Sequence, residues 1–158
     1  MRVFDLSQPL NQDCSFWSFY PPFEVKYIKR KSEQGVNAQY IQTSNHMGTH
    51  LDAPRHFVTN GKTIDELPLE WLYGPGVIVD LSDTMDELGL FTPEMLEERA
   101  DIQNGDILFI NTGWHKFTFL SPDGDEEKYI LRHPGPHYSI CEWLLDKKIH
   151  LWGVDMIS

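Results

Sequence analysis

The sequence predicts a mixed α/β domain whose sheet is at least partly parallel, with short helices. Three observations carry that expectation. "GVIVDLS" (76–82) and "GDILFINTG" (105–113) are apolar runs of strand length, the pattern of strands buried on both faces. "YSICEWLLDKK" (138–148) sets Ile140, Trp143, Leu144 and Lys147 at helical spacing. That segment separates strand 105–113 from an apolar run in "IHLWGVD" (149–155), so the three read as a crossover between parallel neighbours.

The other elements follow in chain order. "RVFDLS" (2–7) and "FEVKYIKR" (23–30) read as strands on either side of an aromatic loop, "CSFWSFYPPF" (14–23). "VNAQYIQTS" (36–44) alternates as a third strand and leads into His46. "IDELPLEWLYG" (64–74) predicts short helical turns. "FTPEMLEERA" (91–100) carries a helix start, with Thr92 as N-cap, Pro93 at the first helical position and Glu94 in the first turn. "PDGDEEK" (122–128) reads as a solvated turn. The last residues, "WGVDMIS", follow a strand at the point where an open α/β sheet gathers its ligand loops. The expectation is therefore a single domain over 1–158 that lacks its C-terminal part.

Size and charge narrow the function classes. A chain of 158 residues is long enough to bury a real core. A net charge of −11 argues against nucleic acid or an anionic membrane as partner, because both are held by clustered Lys and Arg. Cys14 and Cys141 lie far apart and have no metal-type spacing, so two free thiols are expected. With no run approaching the ~20 apolar residues of a membrane span, and no signal-peptide pattern at the start, the expected location is cytoplasmic.

The chemistry concentrates in "HMGTHLDAPRH" (46–56). His46 and His50 are four residues apart, but Gly48 and Pro54 argue against a regular helix, and His50 and Asp52 have extended-chain spacing. The expected object is a structured loop in which Gly48 permits a tight bend. Two imidazoles and a carboxylate suit zinc, manganese or iron(II), and such an ion lowers the pKa of bound water to ~7. His56 is the candidate for proton transfer, because an imidazole titrates near neutral pH.

This stretch fills every defined position of the H-x-G-T-H-x-D-x-P-x-H signature. In it the chain resembles the cyclase, or kynurenine formamidase-like, family of metal-dependent hydrolases, which includes arylformamidases and isatin hydrolase. "FDLSQPL", "GKTIDELPLEWLYGPGVIVDLS", "NGDILFINTGW" and "LLDKKIHLWGVDMIS" extend the resemblance along the chain. The resemblance implies a mixed β/β/α fold, a homodimer or homotetramer, and Zn2+ or Mn2+ bound by His46, His50 and Asp52. It implies His56 as catalytic base or second-metal ligand, and a reaction that opens a C–N bond in a small aryl formamide or lactam. A further histidine and glutamate that complete the family's metal site fall beyond Ser158. The alternatives are a metal-dependent cyclase or lyase, and a non-catalytic metal-binding fragment.

Other residues carry weaker expectations. Phe16 and Trp17, with Phe19 and Tyr20, either anchor the aromatic loop on its own core or line a substrate pocket. Asn111, Thr112, Trp114 and His115 follow a strand end, where pockets form in α/β folds; of these, Trp114 is the candidate substrate contact. His133 and His137 read as surface residues. Asp155, also at a strand end, is placed to orient a ligand histidine, and Asp5 and Asp80 read as turn-formers.

Overall fold

The computed structural model describes residues 2–157. Its backbone forms two compact units that divide between Asp52 and Ala53, and each is described by itself.

The first unit is built on an antiparallel hairpin of β1 (Glu24–Lys29) and β2 (Ala38–Gln42), joined through a single helical turn, α1 (Lys31–Gln34). Gly35 closes α1 in the left-handed conformation, the usual use of glycine after a helix end. Beneath the hairpin lies a small apolar cluster of Cys14, Phe23 and Met47, with Phe16 and Val25 packed against it. The expected strand at 2–7 does not form. Ser7 donates its backbone N–H to Asp5 Oδ1 (2.9 Å), a local turn that competes with a sheet ladder, and Val3, Phe4 and Leu6 stand exposed.

The second unit is built on a parallel sheet in the order β3 (Gly76–Asp80), β5 (Ile107–Asn111), β7 (Leu151–Val154). Two short strands, β4 (Leu90–Phe91) and β6 (Gly135–Pro136), pair separately, also in parallel. Helices α2 (Pro93–Glu97), α3 (Glu126–Leu131) and α4 (Ser139–Asp146) complete the unit, with 3-10 turns at Pro54–His56, Ile64–Glu66, Leu69–Leu72 and Trp114–Phe117. The crossover expected from strand, helix and strand is present as β5, α4 and β7.

The sheet differs from expectation in being buried on one face. Val79, Leu108 and Ile110 point into a core shared with Phe91, Leu96, Ile102 and Ile140, whereas Ile78 and Phe109 on the other face are 61% and 42% exposed. Alternation along the pleat separates these residues, so an apolar run did not mean two covered faces. Gly153 belongs to the second face. A Cβ there would lie 2.6 Å from Phe109 Cδ1, so the ring of Phe109 lies over the backbone of β7 and would have to shift for any side chain at this position.

Two helix starts also differ in detail. Thr92 takes the N-cap backbone position but makes no side-chain capping bond. The segment 122–128 is not wholly a turn, since α3 begins inside it. Asp125 Oδ1 accepts the Lys128 N–H (3.0 Å), and Glu126 and Glu127 occupy the first turn, where the helix dipole favours negative charge. No helix among the described residues is long and apolar enough to cross a membrane.

Candidate metal centre

The loop after β2 reverses at Gly48, whose φ of +60° is left-handed. A Cβ there would be strained by the backbone conformation and would press on Cys14 Sγ at 3.1 Å, so the position favours glycine. The adjoining residues hold the loop in place. Met47 is buried and bridges Phe16 across an antiparallel backbone pair, and Thr49 Oγ1 accepts the Gln8 N–H at 2.9 Å. Gly48→Ala is expected to destabilise the protein by about 1–3 kcal/mol, the cost of a strained left-handed residue, measured as a lowered urea midpoint.

On this loop His46, His50 and Asp52 converge, each offering a ligand atom within 4.8 Å of the other two. His46 Nδ1 lies 2.8 Å from Asp52 Oδ1, and His50 Nε2 lies 3.5 Å from the same oxygen. His50 Nδ1 lies 2.8 Å from the Gly48 carbonyl. A carbonyl only accepts, so in neutral His50 the proton sits on Nδ1 and the Nε2 lone pair faces Asp52. The imidazoles meet edge to face at 5.3 Å, and Tyr20 stacks on His46 at 5.8 Å. Two nitrogen donors, one carboxylate and a backbone carbonyl that fixes a ring's tautomer suit a divalent transition metal.

The other expected residues are described within their own units. His56 ends the exposed 3-10 turn Pro54–His56 and packs edge-on against Phe57, with ring centroids 4.1 Å apart. Trp17 packs against Phe19 (5.8 Å). Trp114 is 3% exposed, in the core of the second unit, and its indole N–H has no hydrogen-bond partner among the described residues. Sequence reasoning did not single out Tyr20 as a neighbour of His46, nor Cys14 as the floor beneath Gly48. Tyr20 precedes two prolines that fix the loop's exit, but nothing in the sequence sets which aromatic turns toward the histidines.

Asp155 has a histidine partner within its own unit. It follows β7 and binds the loop after β5: Oδ1 accepts from Thr112 N–H (2.8 Å) and hydroxyl (2.6 Å), and Oδ2 meets His115 Nδ1 (2.9 Å). Burial alone would raise its pKa, but the bonds from Thr112 and His115 outweigh that and hold it below the usual carboxylate range. A carboxyl whose folded pKa lies below its unfolded value stabilises the fold above the unfolded pKa. That stability disappears as pH falls through the folded value. Wild-type protein should therefore lose stability more steeply than Asp155→Asn on acidification below about pH 4, as read from urea midpoints across a pH series.

The α/β architecture and the His-His-Asp loop together define an α/β protein with a candidate divalent-metal centre. Residues 4–158 match the Cyclase family, described as "Putative cyclase", and the chain belongs to that family. It is 34% identical over 155 residues to a protein named kynurenine formamidase from Bacillus thuringiensis subsp. konkukian, covering 98% of this chain and 68% of that relative. The protein of the same name from Bacillus cytotoxicus is 32% identical over the same coverage. Among solved structures, isatin hydrolase A from Ralstonia solanacearum superposes with a TM-score of 0.80 at 26% identity, covering 97% of this chain and 66% of that one. An isatin hydrolase bound to the product analogue thioisatinate superposes with a TM-score of 0.83 at 24% identity, which speaks to the fold. The chain thus spans about two thirds of the length of these proteins.

Proposed function

We propose that this protein is a metal-dependent amidohydrolase cleaving a C–N bond in a small aryl formamide or cyclic amide. The observation that carries the reading is the convergence of His46, His50 and Asp52 on one loop in a chain of this family. Kynurenine formamidases and isatin hydrolases among its relatives support the substrate class. His46, His50 and Asp52 would hold the ion, with Zn2+ or Mn2+ suited to this mixture of nitrogen and oxygen donors. When bound, such an ion supplies Lewis acidity, polarising an amide carbonyl and making water acidic enough to ionise near neutral pH.

The chain's own groups supply the rest. The Gly48 carbonyl keeps the proton of His50 on Nδ1, so that Nε2 stays available as a donor to the ion. Tyr20 limits the rotation of His46 by stacking on it. His56 accepts a proton as water attacks and returns it to the leaving amine. Phe16 and Trp17 serve an aryl substrate with apolar surface, and the aromatic loop, where Phe19 is 81% exposed, is the contact between copies in a homodimer or homotetramer.

The test is turnover of an aryl formamide and of a lactam by metal-loaded protein in 18O-labelled water. Hydrolysis places one labelled oxygen in the carboxylate product. Turnover without label would instead support a lyase or cyclase. Trp17→Ser is expected to raise KM or shift the assembly toward monomer, read by steady-state kinetics and sedimentation.

A further inference from the structure

The carboxyl ends of β3, β5 and β7 carry a second polar group, separate in sequence from the 46–52 loop. Asp80 at the end of β3 accepts from Asn111 Nδ2 (3.0 Å) and the Ser82 N–H (3.0 Å), and Asn111 Oδ1 accepts the Gly113 N–H (3.1 Å). Gly113 is left-handed (φ +73°), and a Cβ there would lie 2.9 Å from Ser82 Cβ, so the chain turns tightly against β3. That turn delivers His115 to Asp155. The Asp155 side chain is 17% exposed while that of His115 is 60% exposed. Of the imidazole nitrogens, Nδ1 is engaged, and Nε2 has no hydrogen-bond partner among the described residues.

We propose that Asp155 is a positioning residue that fixes His115 as a proton acceptor, with its Nε2 lone pair offered at the carboxyl edge of the parallel sheet to an N–H or O–H donor of a small molecule. An ionised carboxylate only accepts, so a neutral His115 must carry its proton on Nδ1. The edge where the lone pair emerges is where open α/β sheets receive ligands. Other charged groups near this edge are engaged elsewhere or point to different partners. Asp80 is bound by Ser82 and Asn111, Lys116 lies over Phe117, and Lys128 pairs with Glu87.

The two carboxylate oxygens make the proposal sharply testable through Asp155→Asn. Oδ1 accepts the Thr112 backbone N–H at 2.8 Å and its hydroxyl at 2.6 Å, whereas Oδ2 accepts the His115 backbone N–H at a longer 3.3 Å, so the amide oxygen of Asn is expected at the Oδ1 position. Its NH2 then replaces Oδ2 and donates to His115 Nδ1, which moves the imidazole proton to Nε2. The experiment is 15N NMR of the histidine side chains in alkaline buffer, with His115→Gln to assign the resonance, and diethylpyrocarbonate as a chemical probe of the free lone pair. Wild-type protein is expected to show a lone-pair Nε2 and to label at His115. Asp155→Asn is expected to show a protonated Nε2 and severalfold slower labelling, while metal content stays at the wild-type level. A wild-type His115 protonated on Nε2 would overturn the proposal, even if the variant failed to fold. So would an unchanged tautomer in a folded Asp155→Asn. The tautomer and the metal content come from separate measurements, so failure here and failure of the 46–52 metal centre are read separately.

Discussion

His50→Ala and Asp52→Ala should each bring bound divalent metal to background, with the far-ultraviolet circular dichroism of the parent retained. The two side chains are about one third exposed and pack into no core cluster, so truncation leaves little cavity. Surface substitutions of that kind usually change stability by less than ~0.5 kcal/mol. Their effect on the ion is far larger. Loss of a partner that merely orients a ligand costs 10–100-fold in metal affinity, so loss of one of three donors is expected to cost more than about a hundredfold. Elemental analysis after dialysis reads the result directly. Unchanged metal content in both variants would remove the site from this loop. His46→Ala is the less clean probe, since His46 is more buried and also carries the stack with Tyr20.

His56→Ala should lower kcat by about 10²–10⁴-fold, the usual contribution of a general acid–base, while metal content stays near the parent value. His56 follows Asp52 by four residues, and Pro54 starts the 3-10 turn that carries it, so its ring is set by a rigid local turn. Its exposure leaves it open to a substrate, and substitution there removes no core packing. The profile of kcat/KM against pH should lose an ionisation near neutrality together with the rate. A variant that loses its metal would make His56 a ligand, and one that keeps full rate would remove it from the mechanism.

How much of this was legible beforehand depended on whether a pattern was local. His46, His50 and Asp52 sit in one short loop, so their convergence was readable from spacing and from the bend that Gly48 allows. Strands β1, β2, β3, β5 and β7 and helix α4 were likewise legible from local pattern, β2 and α4 from periodicity and β3, β5 and β7 from apolar runs of strand length. What was not legible depended on partners distant in sequence or on competition between local bonds. Residues 2–7 have the composition of a strand, but Asp5 gives the Ser7 N–H a nearer partner than a neighbouring strand. An apolar run could not say that Ile78 and Phe109 would face outward while Val79 and Ile110 faced in. Asp155 was placed correctly at a strand end, but its partner proved to be His115, 40 residues earlier, and no spacing rule links those two positions.

The closeness of the three donors in sequence has a further consequence, for the energetics of folding. An ion raises stability by the difference between its affinity for the native chain and its affinity for the unfolded one. Donors confined to residues 46–52 remain neighbours when everything else has come apart, and closing so short a loop around an ion costs little entropy. If these residues bind the ion as proposed, unfolded chains would keep part of the binding. The rise in melting temperature on adding metal will be smaller than the native affinity alone would give. By the same logic, a loop that holds the ion as proposed would capture it before the surrounding strands have paired, so metal loading would not have to wait for the finished fold.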